Sequence, residues 1–263
     1  MTVHMLATAP SIVGGGGEPI AKSPHAEAFY ADVLRELIDV GLPFLVAGGY
    51  AVAAYTGVRR PTKDLDIFTT GGDFPRVLAH LQQQGHTVSI KDERWLGKVH
   101  KGEDFVDVIS GSLNGLVPVK EEWFTHAHPL EVLGVSAQMI GPTELIWSKA
   151  FIQNRHRHDG ADIVHVILKQ HAAIDWRRLL SHMDGHWEVL LSHLLNFRWA
   201  YPSERNHVPR WLMDELLDRL TQQLDLPAAE TQVCRGRLFS RIDYQHAVED
   251  WGFVDTGGDD ECR

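Results

Sequence analysis

Apolar residues recur at helical and then at strand spacing near the start of the chain. Ser23 and Pro24 have the form of a helix start, with a capping serine and a proline at the first helical position. Apolar side chains follow at helical spacing over residues 29–38, and Gly41 ends the run. The short apolar run 44–47 then predicts a buried strand.

The alternation of helical and strand patterns continues as far as residue 151. Further helices are predicted at 50–55, at 73–81 and from Thr143 onward; strands are predicted at 64–68, as a pair within 86–101, at 105–109 and once within 130–139. From about residue 159 the periodicity is helical without strand signals. The pattern therefore predicts an α+β fold, with a small mixed β-sheet flanked by helices and followed by a helical C-terminal domain.

The predicted domain limits follow from these patterns. A glycine run at 14–17 and a polar tail at the other end indicate flexible ends, which we place at 1–22 and 257–263. Between them we expect an α+β domain at 23–170 and a helical domain at 171–256.

Composition narrows the functional classes. With 263 residues, 44% hydrophobic and 23% charged, the chain is globular rather than disordered or fibrous. A formal net charge of −10 argues against non-specific binding of duplex DNA, which needs a basic surface. Two cysteines, no long apolar run and no secretory signal lead us to expect a cytoplasmic protein without a membrane partner.

Two carboxylates form the first candidate site. Asp64 and Asp66 lie two residues apart on a predicted strand, so both leave one face of the sheet while Leu65 and Ile67 leave the other. Neighbouring carboxylates repel unless a positive charge lies between them. A hard divalent cation, Mg²⁺ or Mn²⁺, is the simplest such partner.

A glycine pair forms the second candidate site. Gly48 and Gly49 lie between a predicted strand and a predicted helix, where backbone can approach a ligand closely and free N–H groups favour an anion. An anion cradle beside a metal site is what a metal–triphosphate complex requires.

Taken together, these residues form a composite motif. Its members are a glycine pair, an arginine, a threonine and two carboxylates: Gly48, Gly49, Arg60, Thr62, Asp64 and Asp66. With a later acid flanked by apolar residues, the motif resembles the polymerase-β-type nucleotidyltransferase superfamily. Within it, the chain is more similar to small bacterial nucleotidyltransferases, including the aminoglycoside nucleotidyltransferases and the AbiEii-type toxin enzymes. The likeness covers roughly residues 25–170, with its core in 46–67, and implies a nucleotidyltransferase fold.

The resemblance implies roles for the acids and glycines. Asp64 and Asp66 would ligate two metal ions, and Asp107 would be the third acid, on an adjacent strand, with Asp104 as the fallback. Gly48 and Gly49 would bracket the triphosphate. The superfamily more often has serine after the first glycine, so here backbone groups replace a hydroxyl contact.

Three further residues have alternative roles. Arg60 is either a triphosphate contact or an ion-pair partner that holds the Asp-x-Asp strand. Thr62 belongs to the nucleotide-binding motif but is more typical of a structural contact. Lys149 lies on a predicted helix where related enzymes carry a lysine, and it either reaches the triphosphate or is a solvated helix residue.

The expected reaction is nucleotidyl transfer. A metal ion would lower the pKa of an acceptor hydroxyl, or Asp107 would accept its proton, and the hydroxyl would attack the α-phosphate of ATP or another nucleoside triphosphate. Pyrophosphate would leave with the second metal ion. A small hydroxylated molecule, a protein side chain and an RNA 3′ end remain open as the acceptor; net acidity favours a cationic small molecule.

Two alternatives belong to other classes. His158 and Asp159, with His156, Asp162 and His165 nearby, resemble the histidine–aspartate metal phosphohydrolases, whose fold is all-helical. The other alternative is a non-catalytic nucleotide-binding protein that kept the fold. Against it, a decayed site should have lost one of its acids.

Overall fold

A mixed seven-stranded β-sheet forms the first part of the fold. The computed structural model describes residues 20–256. The strands of this sheet are β1 Leu45–Val46, β2 Asp64–Phe68, β3 Thr87–Asp92, β4 Leu96–Lys101, β5 Asp104–Ile109, β6 His128–Val132 and β7 Val135–Met139. Their order is β3-β4-β5-β2-β1-β7-β6. β2 is parallel to β5 and β1 is parallel to β7, whereas the other neighbours are antiparallel.

Helices alternate with the strands of the sheet and make up most of the chain after it. They are α1 Pro24–Asp39, α2 Gly48–Thr56, α3 Phe74–Gln83, α4 Glu122–Thr125, α5 Pro142–Ala150, α6 Gly160–Gln170, α7 Trp176–His182, α8 Trp187–Ala200, α9 Arg210–Leu224 and α10 Arg241–Glu249. Short strands also pair in this later part: β8 Gln153–Asn154 with β9 Arg157–His158, and β10 Val233–Cys234 with β11 Val254–Asp255. The predicted α+β fold with a helical C-terminal region is confirmed. Among the described residues, no helix is long and apolar enough to cross a membrane.

The core of the sheet lies on the face that α1 and α3 cover. Leu65 and Ile67 on β2 are fully buried, as are Val106 and Val108 beside them on β5. Both helices contact β5. Burial of these alternating apolar residues fixes the register of the two parallel strands and turns the intervening residues to the opposite face.

The start of α1 agrees with its sequence signal. The Ser23 side chain accepts a hydrogen bond from the Ala26 N–H, and Pro24 takes the first helical position. The residues before it, which the sequence assigns to a flexible end, include Ile20 and Ala21. Both are buried, and the Ile20 carbonyl accepts a hydrogen bond from the Thr62 N–H.

The segment 130–139 differs from its prediction. The sequence predicts one strand there, and the structure has two, β6 and β7, paired as a hairpin. Leu133 and Gly134 form its two-residue turn, with φ of 53° and 72°. Positive φ at both turn positions is the geometry of a type I′ hairpin, for which asparagine is the usual first residue. With leucine in that place, the turn has no sequence signal.

Two compact units divide the chain, one ending at Leu145 and the other beginning at Ile146. The division falls inside α5, before the limit at residue 170 that the sequence predicts. The first unit contains the seven-stranded sheet with α1 to α4, and the second contains α6 to α10. The predicted flexible tail 257–263 lies outside the described residues, as does most of the predicted flexible N-terminus.

Candidate functional site

The face of the sheet away from α1 and α3 carries the predicted acids. Asp64 and Asp66 on β2 are half-buried, between fully buried apolar residues that point the other way. Asp66 and Asp107 are register partners across the parallel pair β2–β5. Directly opposed residues of neighbouring strands share a face, so the third predicted acid lies beside the pair.

A lysine continues this row on the next strand. Lys98 on β4 is the register partner of Asp107, and its Nζ donates a hydrogen bond of 2.6 Å to Asp107 Oδ1. The same Nζ lies 3.9 Å from the centroid of the Phe105 ring. The side chains of Lys98 and Asp107 are only 20% and 13% exposed. Three adjacent strands therefore place two carboxylates and an ammonium group in one line.

Thr62 contacts the first acid. Its hydroxyl donates a hydrogen bond of 2.9 Å to Asp64 Oδ1, and its backbone N–H donates to the Ile20 carbonyl. Thr62 thus orients Asp64 at the start of β2, in line with the structural role that the sequence favours. Its predicted contact with a nucleotide is compatible with this geometry and stays a prediction.

The start of α2 lies against the second acid. Gly48 is the first residue of the helix and has φ of 56°. A Cβ placed on Gly48 would lie 1.7 Å from Asp66 Oδ2, and the Ala47 N–H donates to the Asp66 carbonyl at 2.9 Å. The first N–H groups of a helix lack partners within the helix, so this end favours an anion close to the acids. The helix begins at Gly48, two residues before its predicted start.

We expect Gly48→Ala to lower the free energy of unfolding by about 1–3 kcal/mol, because the methyl group overlaps Asp66 and the positive φ is strained for alanine. Gly49→Ala is the matched control. Its Cβ would meet Thr62 at 3.6 Å, an ordinary contact. Urea unfolding, followed by circular dichroism, measures the free energy of unfolding of both variants. Equal stability of the two would contradict the close packing at Gly48.

Arg60 and Lys149 are the other predicted residues. Arg60 is exposed in the loop between α2 and β2. Lys149 belongs to the second unit, where it is buried, and its Nζ contacts Asp159 Oδ2 at 2.5 Å and Asp162 Oδ2 at 2.9 Å. Lys149 is thus an ion-paired helix residue rather than a solvated one. The roles of both residues toward triphosphate stay predictions.

The arrangement of the acids bears on whether they can bind a metal ion. Among residues 20–256, no group of three or more histidine, cysteine, aspartate or glutamate side chains is arranged to hold a metal ion. Asp64 and Asp66 supply hard oxygen donors from one face, which suits Mg²⁺ or Mn²⁺. Asp107 adjoins them through Asp66 but is bound to Lys98. The pair therefore supplies donors that suit a divalent cation, whereas the Asp107 carboxylate accepts a hydrogen bond from Lys98.

The histidine-rich segment of the second unit has a different arrangement. His158 is exposed on β9, and the neighbouring Asp159 accepts hydrogen bonds from Arg157 and Lys149. Burial by itself would raise the pKa of Asp159, but the Arg157 hydrogen bonds and the Lys149 charge outweigh it and hold that pKa below its usual value. The carboxylate that a phosphohydrolase would use for metal is engaged by two cations.

Sequence reasoning missed Lys98 on the acidic face and Tyr30 on the side of the sheet that α1 covers. Lys98 faces Asp107 only once β4 pairs with β5, so nothing in its local sequence marks it. Tyr30 on α1 is fully buried, and its hydroxyl donates to the Lys63 carbonyl next to β2. Burial, then the negative charges of Asp104 and Asp64, raise the pKa of Tyr30 well above its usual value. Tyr30 therefore stays neutral on the side of the sheet that α1 covers.

Comparisons with known proteins give one matching family model and several similar solved structures. A family model described as nucleotidyl transferase of unknown function (DUF2204) matches residues 26–196. A comparison with curated proteins finds no match. Among solved structures, the antibiotic-resistance factor ANT(2'')-Ia is 15% identical, with 70% of this chain and 96% of that chain covered and a TM-score of 0.42. A nucleotidyltransferase-like antigen from Paracoccidioides brasiliensis is 12% identical, with coverages of 70% and 92% and a TM-score of 0.44. The lincosamide antibiotic adenylyltransferase LnuA is 17% identical, with coverages of 53% and 94% and a TM-score of 0.38.

Proposed function

Since the chain belongs to the family of nucleotidyl transferases of unknown function (DUF2204), we propose that it moves a nucleoside monophosphate from a nucleoside triphosphate to an acceptor hydroxyl, releasing pyrophosphate. The observation that supports this reaction most directly is the register pair Asp66–Asp107, with Asp64 on the same face and the start of α2 against Asp66. Acids beside an anion-favouring helix start suit a metal–triphosphate complex.

The triphosphate would bind at the start of α2. Backbone N–H groups at Gly48 and Gly49 would contact its phosphate oxygens, and the absence of a side chain at both positions lets the phosphates approach. Arg60 and Lys149 are the proposed cationic contacts, and Thr62 would act by orienting Asp64. Among the nucleoside triphosphates, we expect ATP to be the co-substrate.

The carboxylates of Asp64, Asp66 and Asp107 would hold two Mg²⁺ or Mn²⁺ ions. Such ions neutralise phosphate oxygens and lower the pKa of a bound hydroxyl. The protein's own part is to fix the geometry. β2 and β5 hold the acids in register, and the hydrogen bond from Thr62 orients the first of them.

The proposed step is in-line displacement at phosphorus. The acceptor oxygen forms a bond to the α-phosphorus while the bond from that phosphorus to the bridging oxygen breaks, and pyrophosphate leaves. The acceptor proton passes to Asp107 or to solvent. Asp107 is therefore both a metal ligand and the candidate base in this proposal.

The acceptor is proposed only by class. The net charge of −10 favours a cationic hydroxylated small molecule over a protein side chain or an RNA 3′ end. The low cysteine count favours a reducing compartment, which we take to be the cytoplasm.

Incubation with α-labelled ATP, GTP, CTP or UTP and Mg²⁺ tests the proposal. Aminoglycosides, RNA and a protein extract serve as separate acceptor pools. We expect pyrophosphate release that requires both Mg²⁺ and one acceptor pool, with label transferred to that acceptor. Acceptor-independent release of phosphate or nucleoside would instead support a hydrolase at His158 and Asp159. Nucleotide binding without turnover in every pool would support the non-catalytic alternative.

A further inference from the structure

Beyond Asp107, the sheet face that carries the acids continues onto β4 and β3. Lys98 on β4 is the register partner of Asp107, and Ser89 on β3 is the register partner of Lys98. Directly paired residues of neighbouring strands share a face, so the row that begins with Asp66 on β2 crosses four adjacent strands. The proposed reaction uses the two acids of this row and assigns no role to Lys98 or Ser89.

His100 lies beside the far end of the row. It comes two residues after Lys98 on β4, so the two side chains leave the same face. Ser89 Oγ and His100 Nε2 form a hydrogen bond of 2.9 Å, and the ring centroids of His100 and Phe105 are 5.8 Å apart. Both Ser89 and His100 are half-buried. A hydroxyl group both donates and accepts, and an imidazole ring has two nitrogens, so the pair keeps hydrogen-bonding capacity beyond its mutual bond.

The geometry of in-line displacement indicates which reactant approaches this end of the row. The triphosphate is proposed to bind at the start of α2, which lies against Asp66. In such a displacement, the attacking oxygen and the leaving pyrophosphate lie on opposite sides of the phosphorus. The acceptor therefore approaches from the side of the acids away from α2. On the sheet, that side is formed by β5, β4 and β3.

The groups on that side indicate the chemistry of the acceptor. The hydroxyl of Ser89 and the imidazole of His100 suit neutral hydroxyl groups. Lys98 Nζ lies 2.6 Å from Asp107 Oδ1, so a positive charge stands beside the proposed base. The Lys98 side chain is 20% exposed, so solvent screens this charge only in part. An ammonium group next to the reacting hydroxyl would be repelled by Lys98, whereas a neighbouring hydroxyl would accept a hydrogen bond from it.

We propose that Ser89 and His100 bind the acceptor and that Lys98 selects the hydroxyl that receives the nucleotide. The acceptor is a polyhydroxylated small molecule of the sugar type, and its reacting hydroxyl is flanked by other hydroxyl groups. Neighbouring strands lie about 4.8 Å apart, so Ser89 is about 10 Å from Asp107, a span that a molecule of one or two rings covers. Positive charges that the net acidity favours lie on another part of the acceptor. This inference rests on the proposed function, because it concerns the acceptor of that reaction.

Steady-state kinetics of label transfer test the acceptor contacts. Aminoglycosides, neutral sugars, RNA and a protein extract are offered to the whole chain as separate pools, and the compound that becomes labelled is then used as the acceptor. Ser89→Ala and His100→Phe each remove a hydrogen-bonding group from the face. Each should raise the KM for the acceptor by about three- to tenfold, the effect of one lost hydrogen bond. The kcat and the KM for triphosphate should stay within about twofold of the wild type, because only acceptor binding is changed.

His80→Phe is the matched control. His80 lies on α3, which covers the opposite face of the sheet, so the same substitution there should leave the KM for the acceptor unchanged. Thermal melting of each variant shows whether it is folded. If His100→Phe is unstable, Ser89→Ala decides the outcome, because it removes only one oxygen atom.

The position of the label on the acceptor tests the selection by Lys98. Nuclear magnetic resonance of the purified product identifies the modified hydroxyl, which should have hydroxyl neighbours. Attachment beside an ammonium group would overturn the role of Lys98, and transfer to RNA or the protein extract alone would overturn the acceptor class.

The kinetic outcomes separate this inference from the function on which it rests. If both face variants transfer label with the KM for acceptor of the wild type, the function stands and the inference is overturned. The same holds if they raise the KM for triphosphate as much as the KM for acceptor, since the substitutions then disturb the whole site. If no pool receives label, the proposed function and the inference both fail.

Discussion

Asp66→Asn should reduce nucleotidyl transfer by on the order of a thousandfold, as expected when a group that stabilises transition-state charge is removed. Asp66 is the register partner of Asp107, and its Oδ2 lies 1.7 Å from the position that a Cβ on Gly48 would take. Asparagine keeps the shape and one oxygen but loses the charge that holds a metal ion. Transfer of label from the α-labelled triphosphate to the acceptor is the measurement.

The control is an equal change of charge at a distance from the acids. Asp39 is the exposed last residue of α1, and Asp39→Asn also alters the net charge by one. It should retain full activity, since a surface substitution away from special features has little effect. Asp66→Asn should melt near the wild-type temperature. Near-normal transfer by folded Asp66→Asn, with saturating Mg²⁺ and acceptor, would refute its assignment as a metal ligand.

Mn²⁺ binding makes the same prediction independent of the acceptor. If Asp66 is a metal ligand, Asp66→Asn should weaken Mn²⁺ binding to the whole chain, measured as free Mn²⁺ by electron paramagnetic resonance. A loss of activity in Asp66→Asn with unchanged Mn²⁺ binding would indicate that Asp66 acts on the substrate rather than on metal.

The fold was largely accessible from the sequence because its signals are local. The strand at 64–68 is found with its predicted limits, since Leu65 and Ile67 alternate with polar neighbours. The capping residue Ser23 marks α1 correctly. The β6–β7 hairpin was missed because its turn uses leucine at a positive φ, which carries no turn signal.

The site was accessible only in part, since its remaining contacts depend on strand pairing. Asp64 and Asp66 share a face by the period of a strand alone. Asp107 lies beside them because β2 pairs in parallel with β5. Lys98 lies beside Asp107 because β4 pairs antiparallel with β5. Strand order cannot be derived from local alternation, so the row of charges appears only in the folded sheet.

Lys149→Met should lower the free energy of unfolding by about 3–5 kcal/mol, the usual cost of removing one partner from a buried ion pair. Lys149 is 4% exposed, and its Nζ contacts the carboxylates of Asp159 and Asp162. Methionine fills a similar volume but leaves two poorly hydrated negative charges together. Lys169→Met on exposed α6 surface should change stability by less than about 0.5 kcal/mol.

The stability lost in Lys149→Met should depend on pH, and the pKa of Asp159 gives the direction of that dependence. The folded-state pKa of Asp159 is lowered, although burial alone would raise it, by the Arg157 hydrogen bonds and the Lys149 charge. A depressed pKa contributes stability that is present above the unfolded value and is lost as the pH falls through the folded value. The difference between wild type and Lys149→Met should therefore be largest near neutral pH and shrink on acidification. Urea midpoints measured from neutral to acidic pH test this, and a difference that grows in acid would contradict it.

A double variant separates the structural role of Lys149 from its proposed contact with triphosphate. If the cost comes from stranded carboxylates, Asp162→Asn added to Lys149→Met should recover part of the lost stability, because it removes one of the two charges. It should not recover nucleotide binding if Lys149 itself contacts the triphosphate. A KM for nucleoside triphosphate that stays raised in the stabilised double variant would assign Lys149 to the substrate, whereas a normal KM would confine it to the ion pairs of its own unit.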